Sequence, residues 1–131
     1  RDLKKLSSLD IDAVFIPEDN EMYPEGYSIS IHISRIGEIL CGVSRPGHFN
    51  SVATVVTKFF YIVMPDKAYF GQKDFQQTAV IKKLVKELNF NIDIVVCPTV
   101  REPDGLAVSS RNSYLTLSDR KAAPILYRAL K

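Results

Sequence analysis

Apolar residues fall into two rhythms along this chain, and their order predicts its architecture. Val52, Val55, Val56, Phe59, Phe60 and Val63 recur at the three- and four-residue spacing of one helical face. Valine, threonine and phenylalanine favour strands, yet the run is longer than a typical strand, so a helix over Val52–Val63 is expected, ended by Pro65. A second helix is expected from about Phe75 to Leu88, with Ile81, Leu84, Val85 and Leu88 on one face and Asn89 at its end. Shorter apolar runs predict strands. Asp12–Ile16, stopped by Pro17, and Ile92–Val96 read as buried parallel strands, and Lys67–Phe70 as a short strand running into Gly71. Ser28–Ile33 alternates Ile29, Ile31 and Ile33 with Ser30 and His32, the signature of a half-buried strand. Arg35–Leu40 is expected to make a helical turn or two. Strands interleaved with helices in this order predict an α/β fold with a parallel sheet. The chain opens inside one expected helix (Leu3, Leu6, Leu9) and closes inside another, Asp119–Lys131, so both ends are expected to continue in a longer protein.

Composition narrows the class. The 131 residues suffice for one domain, and 46% hydrophobic with 24% charged residues is ordinary for a globular protein. A net charge of +2 argues for neither nucleic acid nor an anionic membrane as partner. No apolar run is long enough to span a bilayer. Cys41 and Cys97 are far apart and only His32 and His48 could join them, which argues against structural zinc and for a reduced, cytoplasmic setting.

Three segments carry candidate chemistry. Residues 101–112, Arg-Glu-Pro-Asp-Gly-Leu-Ala-Val-Ser-Ser-Arg-Asn, follow a predicted strand, turn at Asp104-Gly105, and then present two hydroxyls and a guanidinium at Ser109, Ser110 and Arg111. Loops at the carboxyl ends of parallel strands are where open α/β sheets bind ligands, and this trio suits phosphate oxygens. A plain solvated loop explains the segment equally well by itself. Phe70-Gly71-Gln72-Lys73-Asp74-Phe75-Gln76-Gln77 lies at a second strand-to-helix junction. Here Gly71 permits close backbone approach, Lys73 offers a mobile cation for phosphate, and Asp74 a carboxylate able to accept from ribose hydroxyls. Asp74 and Gln77 also match a capping box, which needs no ligand. In Arg45-Pro46-Gly47-His48-Phe49, a turn brings Arg45 and His48 to a helix start, a plausible anion site or simply an exposed turn. Together these loops favour phosphate or nucleotide binding, although no Walker or dinucleotide glycine fingerprint is present.

Met22-Tyr23-Pro24-Glu25-Gly26, Ser44–Phe49, Val52–Lys58, Phe70–Gln77 and Pro98–Asn112, in this order, closely resemble the pantoate–β-alanine ligase (pantothenate synthetase) family, and the likeness runs from Arg1 to Lys131. The resemblance implies a nucleotidylyltransferase-like (Rossmann-like) α/β fold related to class I aminoacyl-tRNA synthetases. It also implies ATP and magnesium as cofactors, pantoate and β-alanine as substrates, a pantoyl-adenylate intermediate and a homodimer. On this likeness residues 1–99 form part of the nucleotide-binding domain, and residues 100–131 a mobile phosphate-binding loop with the start of a C-terminal domain. Gly71, Gln72, Lys73 and Asp74 would line the ATP site, Val100 would hold adenine through its backbone, and Val108, Ser109, Ser110 and Arg111 would close over the nucleotide. Lys73 and Arg111 would be the catalytic cations. Gln77, with Arg45 and His48 nearby, would bind pantoate.

Gln72, Phe75 and Val108 depart mildly from the commoner family residues. The larger departure is that a His-x-Gly-His helix start and an Asn-Pro-x-Gln-Phe segment, both characteristic of the family, occur nowhere here. The strands that carry them would lie between the strand at Asp12 and that at Lys67. The chain is therefore expected to hold part of the site, to expose an unpaired sheet edge, and to have little or no ligase activity alone. A non-catalytic nucleotide-binding module and a dimerisation piece are the rival readings.

Overall fold

A computed structural model describes residues 2–131; Arg1, where the chain opens, lies outside the described residues. The helices are α1 (Asp2–Leu6), α2 (Asp19–Met22), α3 (Cys41–Ser44), α4 (His48–Val63), α5 (Phe75–Glu87), α6 (Leu117–Ala122) and α7 (Ile125–Ala129). The strands are β1 (Lys67–Gly71) and β2 (Asp93–Cys97), and short 3-10 turns occupy Arg35–Gly37, Gln72–Asp74 and Ser110–Tyr114. The fold is α/β with a parallel sheet, as the interleaved pattern predicts.

The centre is a β1–α5–β2 unit. The strands pair in parallel register from Lys67 opposite Asp93 to Gly71 opposite Cys97. Parallel neighbours need a crossover, and α5 supplies it. Val80, Ile81 and Leu84 of α5 are buried against Phe49, Ala53 and Phe60 of α4. The expected faces are thus only partly right. Phe49 and Ala53 replace Val55 and Val63 at the centre, and Val63 and Leu88 at the helix ends are exposed. Helix α5 stops as expected at Asn89, which is left-handed (φ 55°), while the Phe90 amide donates back to the Val85 carbonyl.

Two expected strands are absent from the described residues. In Ser28–Ile33 the Ile31 amide donates to Thr54 Oγ1 (2.9 Å) and the Ile33 amide to Asn50 Oδ1 (2.8 Å). Side chains of α4 thus satisfy backbone groups that a neighbouring strand would otherwise bond, and the segment runs extended along a helix. Ile29 is 72% exposed, so the alternation buries only part of its apolar set. Asp12–Ile16 has the composition of a strand but no ladder partner; Val14, Phe15 and Ile16 are exposed, and Phe15 rests edge-on against Phe59. The expected helix Asp119–Lys131 is two helices. Pro124 has no amide to donate and its ring clashes with the preceding turn, so α6 ends at Ala122 and α7 begins at Ile125. Thr116 starts α6 two residues early, its Oγ1 accepting from the Asp119 amide (3.2 Å).

Candidate functional site

The turn ahead of α4 and the junction after β1 face each other across a cleft of about 430 Å³. Leu40, Cys41, Arg45 and His48 form one wall, and Lys73, Asp74, Gln76 and Gln77 the other. Gly47 is left-handed (φ 76°), which turns the chain so that His48 becomes the first residue of α4. Arg45, His48, Lys73, Asp74 and Gln77, singled out from two distant segments of sequence, are therefore brought together. Leu40, Cys41 and Gln76 join them without having been anticipated.

A second cleft of about 490 Å³ lies on the other side of the β1–α5 junction, between Gln72, Lys73 and Phe75 and the residues after β2, namely Pro98, Thr99, Arg101 and Ala107. Lys73 and Phe75 line both clefts. Lys73 thus stands on the ridge between two concave surfaces, each at the carboxyl end of a parallel strand.

The expected capping box is not formed. The Asp74 side chain makes no cap bond; its carboxylate instead takes the Lys73 Nζ at 3.1 and 3.2 Å. Thr78 ties the helix start instead, its hydroxyl donating to the Gly71 or the Asp74 carbonyl, each at 3.3 Å. An exposed pair between adjacent residues is weak, so Lys73 is held loosely and can be drawn to a more highly charged anion.

The segment after β2 folds back on itself. Arg101 bridges to Ala107, the Val108 amide donates to the Val100 carbonyl (2.9 Å), and the Glu102 amide to the Leu106 carbonyl (2.8 Å). The Val100 carbonyl is thereby committed to the hairpin, while its side chain remains exposed. Beyond the hairpin, Ser109 caps the 3-10 turn by accepting from the Arg111 amide (3.2 Å), and the Asn112 side chain donates to the Ala107 carbonyl (3.0 Å). Val108, Ser110 and Arg111 are exposed; Ser109 keeps its hydroxyl proton for another acceptor. Neither cleft is lined by Ser109, Ser110 or Arg111, so the structure leaves this trio outside both.

A larger cleft, about 520 Å³, lies among Asp104, Arg120, Lys121, Pro124 and Arg128. Its central cation is already paired, because Arg120 donates to the Asp104 carboxylate. That hydrogen bond, with the Leu106 amide adding a second, holds the Asp104 carboxyl below its usual range and raises the Arg120 guanidinium. This cleft joins hairpin to helices and is separate from the Lys73 ridge. Among the described residues no cluster of three or more histidine, cysteine or acidic side chains is placed to hold a metal, and no helix is long and apolar enough to cross a membrane.

Comparison with known proteins gives this geometry a family. The pantoate-beta-alanine ligase family matches residues 1–131. The pantothenate synthetase of Acetivibrio thermocellus is 58% identical over 130 residues, 99% of this chain and 46% of that protein. A crystal structure of the Thermus thermophilus pantothenate synthetase superposes with a TM-score of 0.95 at 48% identity, over 98% of this chain and 47% of the other. The Francisella tularensis pantoate-beta-alanine ligase, described as complexed with "Beta-gamma ATP and Beta-alanine", superposes with a TM-score of 0.90 at 45% identity, over 97% of this chain and 49% of the other. The chain spans about half the length of the relatives it matches. With the whole of residues 1–131 matched and the backbone shared almost end to end, the chain belongs to the pantoate–β-alanine ligase family.

Proposed function

We propose that this chain supplies part of the ATP and pantoate site of a ligase that condenses pantoate with β-alanine through a pantoyl adenylate. The observation that carries the reading is the position of Lys73 on the ridge shared by two clefts. Adenylation needs a carboxylate and an α-phosphate to meet, and a cation at the meeting point offsets the charge that builds there. A carboxylate oxygen of pantoate attacks the α-phosphorus, the bond to the β-phosphate oxygen breaks, and pyrophosphate leaves. The β-alanine amine then attacks the acyl carbon, AMP departs with the bonding electrons, and the amine proton passes to solvent.

In this reading the cleft of Arg45, His48 and Gln77 takes pantoate, and the cleft behind Gln72 takes ATP. Gly71 gives the nucleotide close backbone access, and Asp74 turns from Lys73 toward the ribose. Val100 meets adenine through its backbone while Val108 covers it. Ser109, Ser110 and Arg111 close over the phosphates, which requires the stretch beyond the hairpin to swing toward the ridge. Lys73 and Arg111 are the catalytic cations. Among the described residues Asp74 is the only carboxylate lining either cleft, and magnesium usually keeps several waters and binds through one or two carboxylates plus substrate phosphates. Asp74 lines the acid cleft and not the one assigned to ATP, so magnesium would arrive as the counter-ion of ATP, held by the phosphates and water, and would neutralise their charge.

Residues 1–99 would belong to the nucleotide-binding domain and 100–131 to the phosphate loop and the start of a further domain. The working enzyme would be a cytoplasmic homodimer. The test is a full-length ligase in which residues 1–131 replace the matched region of the Acetivibrio thermocellus relative. ATP-dependent formation of pantothenate from pantoate and β-alanine supports the reading. ATP binding without product would favour the non-catalytic nucleotide module, and neither binding nor product would leave a dimerisation role.

A further inference from the structure

Gln76 stands beside Gln77 in the same helical turn, but its side chain is spent differently. Its Nε2 donates to the Ile36 carbonyl (2.9 Å) and to the Ile39 carbonyl (2.8 Å), and its Oε1 accepts from the Cys41 amide (3.0 Å). A primary amide has two N–H donors, so Gln76 has none left for an anionic substrate. Gln77, by contrast, makes no side-chain hydrogen bond among the described residues. The two neighbours cannot share a role.

The three groups that Gln76 binds belong to one strained corner. Ile39 and Cys41 flank Leu40, a non-glycine residue in the left-handed region (φ 49°), and Arg35 just upstream is also left-handed (φ 57°). Such residues persist only where their surroundings over-determine the backbone. The corner is also tight: a Cβ added at Gly42 would lie 2.0 Å from the Gly37 carbonyl oxygen. From here a chain of hydrogen bonds leads into the cleft. The Arg45 amide donates to the Cys41 carbonyl (3.0 Å), and the His48 amide to the Arg45 carbonyl (3.1 Å). The wall carrying Leu40, Arg45 and His48 thus hangs from Gln76, while Gln77 stands on Gln76's own helix and Lys73 on the 3-10 turn that leads into it.

We infer that Gln76 is a positioning residue, clamping the Leu40 corner so that Arg45 and His48 hold the register with Lys73 and Gln77 that an acid substrate requires. The inference rests on the proposed ligase reading for the identity of that acid, pantoate. Gln76 touches no reacting atom. Its loss releases one wall of the acid cleft and leaves the ATP-side cleft, which it does not line, in place.

The test has two arms. In the first, amide hydrogen exchange at Cys41 is followed in this chain; Gln76→Ala should speed it at least about tenfold, the scale for loss of a directly bonded acceptor. In the second, Gln76→Ala and Gln76→Glu are placed in the full-length ligase carrying residues 1–131. Gln76→Ala should raise KM for pantoate about tenfold or more while KM for ATP moves less than about twofold, as displacement of one wall implies. Gln76→Glu keeps the acceptor for Cys41 but, ionised, sets a negative charge against two carbonyls. Relative to the unmodified enzyme at each pH, its KM for pantoate should recover as pH falls and the protonated carboxyl regains a donor. Unchanged Cys41 exchange overturns the clamp. A lowered melting temperature with both KM values unchanged, or equal rises in both, overturns the positioning role. If the unmodified full-length ligase forms no pantothenate, the ligase reading fails first, a result distinguishable because it does not depend on residue 76, and Cys41 exchange still decides the clamp.

Discussion

Gly105→Ala probes how the C-terminal helices are held to the hairpin. Gly105 is buried with φ at +94°, and a Cβ there would lie 2.2 Å from Tyr127 Cδ1 and 2.9 Å from Cε1. The Tyr127 ring must move, which disturbs its contact with the Arg101 guanidinium, now 4.1 Å from the ring centroid. An alanine in left-handed backbone costs about 1–2 kcal/mol, and an exposed cation–π contact is worth about 0.5–1 kcal/mol. The sum, about 2 kcal/mol, should speed amide exchange in α7 about thirtyfold where exchange reports the local opening equilibrium. In a Tyr127→Ala background the clash is absent, so Gly105→Ala should cost only its backbone share, smaller by about 0.5–1 kcal/mol. Exchange within about twofold of the unmodified chain, or an identical cost in both backgrounds, would refute the proposed packing of hairpin on helix.

Other consequences follow from the same contacts. Thr54→Val removes the oxygen that accepts from the Ile31 amide at 2.9 Å, and Thr54 is buried, so urea unfolding should show a loss of about 1–3 kcal/mol. Asp104 has a lowered folded-state pKa, chiefly from the Arg120 hydrogen bond; the stability it contributes is present above the unfolded value and is lost as pH falls through the folded one. Protection of α6 should therefore weaken below about pH 4, and Asp104→Asn should abolish that component of the pH dependence. With one edge of β1 unpaired among the described residues and Val14, Phe15 and Ile16 exposed, the chain alone should self-associate. Phe15→Lys should lower its light scattering at equal concentration, and an unchanged signal would place the contact elsewhere.

What the sequence made legible follows a physical division. The helices at Val52–Val63 and Phe75–Leu88 announce themselves because a helix satisfies its own backbone and leaves its periodicity in the chain; β1 and β2 were legible as short apolar runs ending in loop signals. The strands expected at Asp12–Ile16 and Ser28–Ile33 failed because a strand is defined by its neighbour. Ile31 and Ile33 found Thr54 and Asn50 of α4 instead, a pairing between positions far apart in the chain. The closing helix expected over Asp119–Lys131 is divided because Pro124, within that span, has no amide to donate. In the site, Arg45, His48, Lys73, Asp74 and Gln77 could be chosen because charged and amide groups stood at strand ends and turns. Gln76 could not: its identity matters through the backbone of Ile36, Ile39 and Cys41, and backbone partners leave no trace in side-chain spelling.

The most direct test of the central claim, that Lys73 stands where acid and nucleotide meet, is pantoate-dependent release of pyrophosphate from ATP. It is measured in the full-length ligase carrying residues 1–131, with Lys73 or with Lys73→Ala. Removing a preorganised cation from a developing phosphoryl charge should lower the rate about a hundredfold or more, with the fold intact by circular dichroism. Pyrophosphate release within about threefold of the Lys73 enzyme would contradict the account.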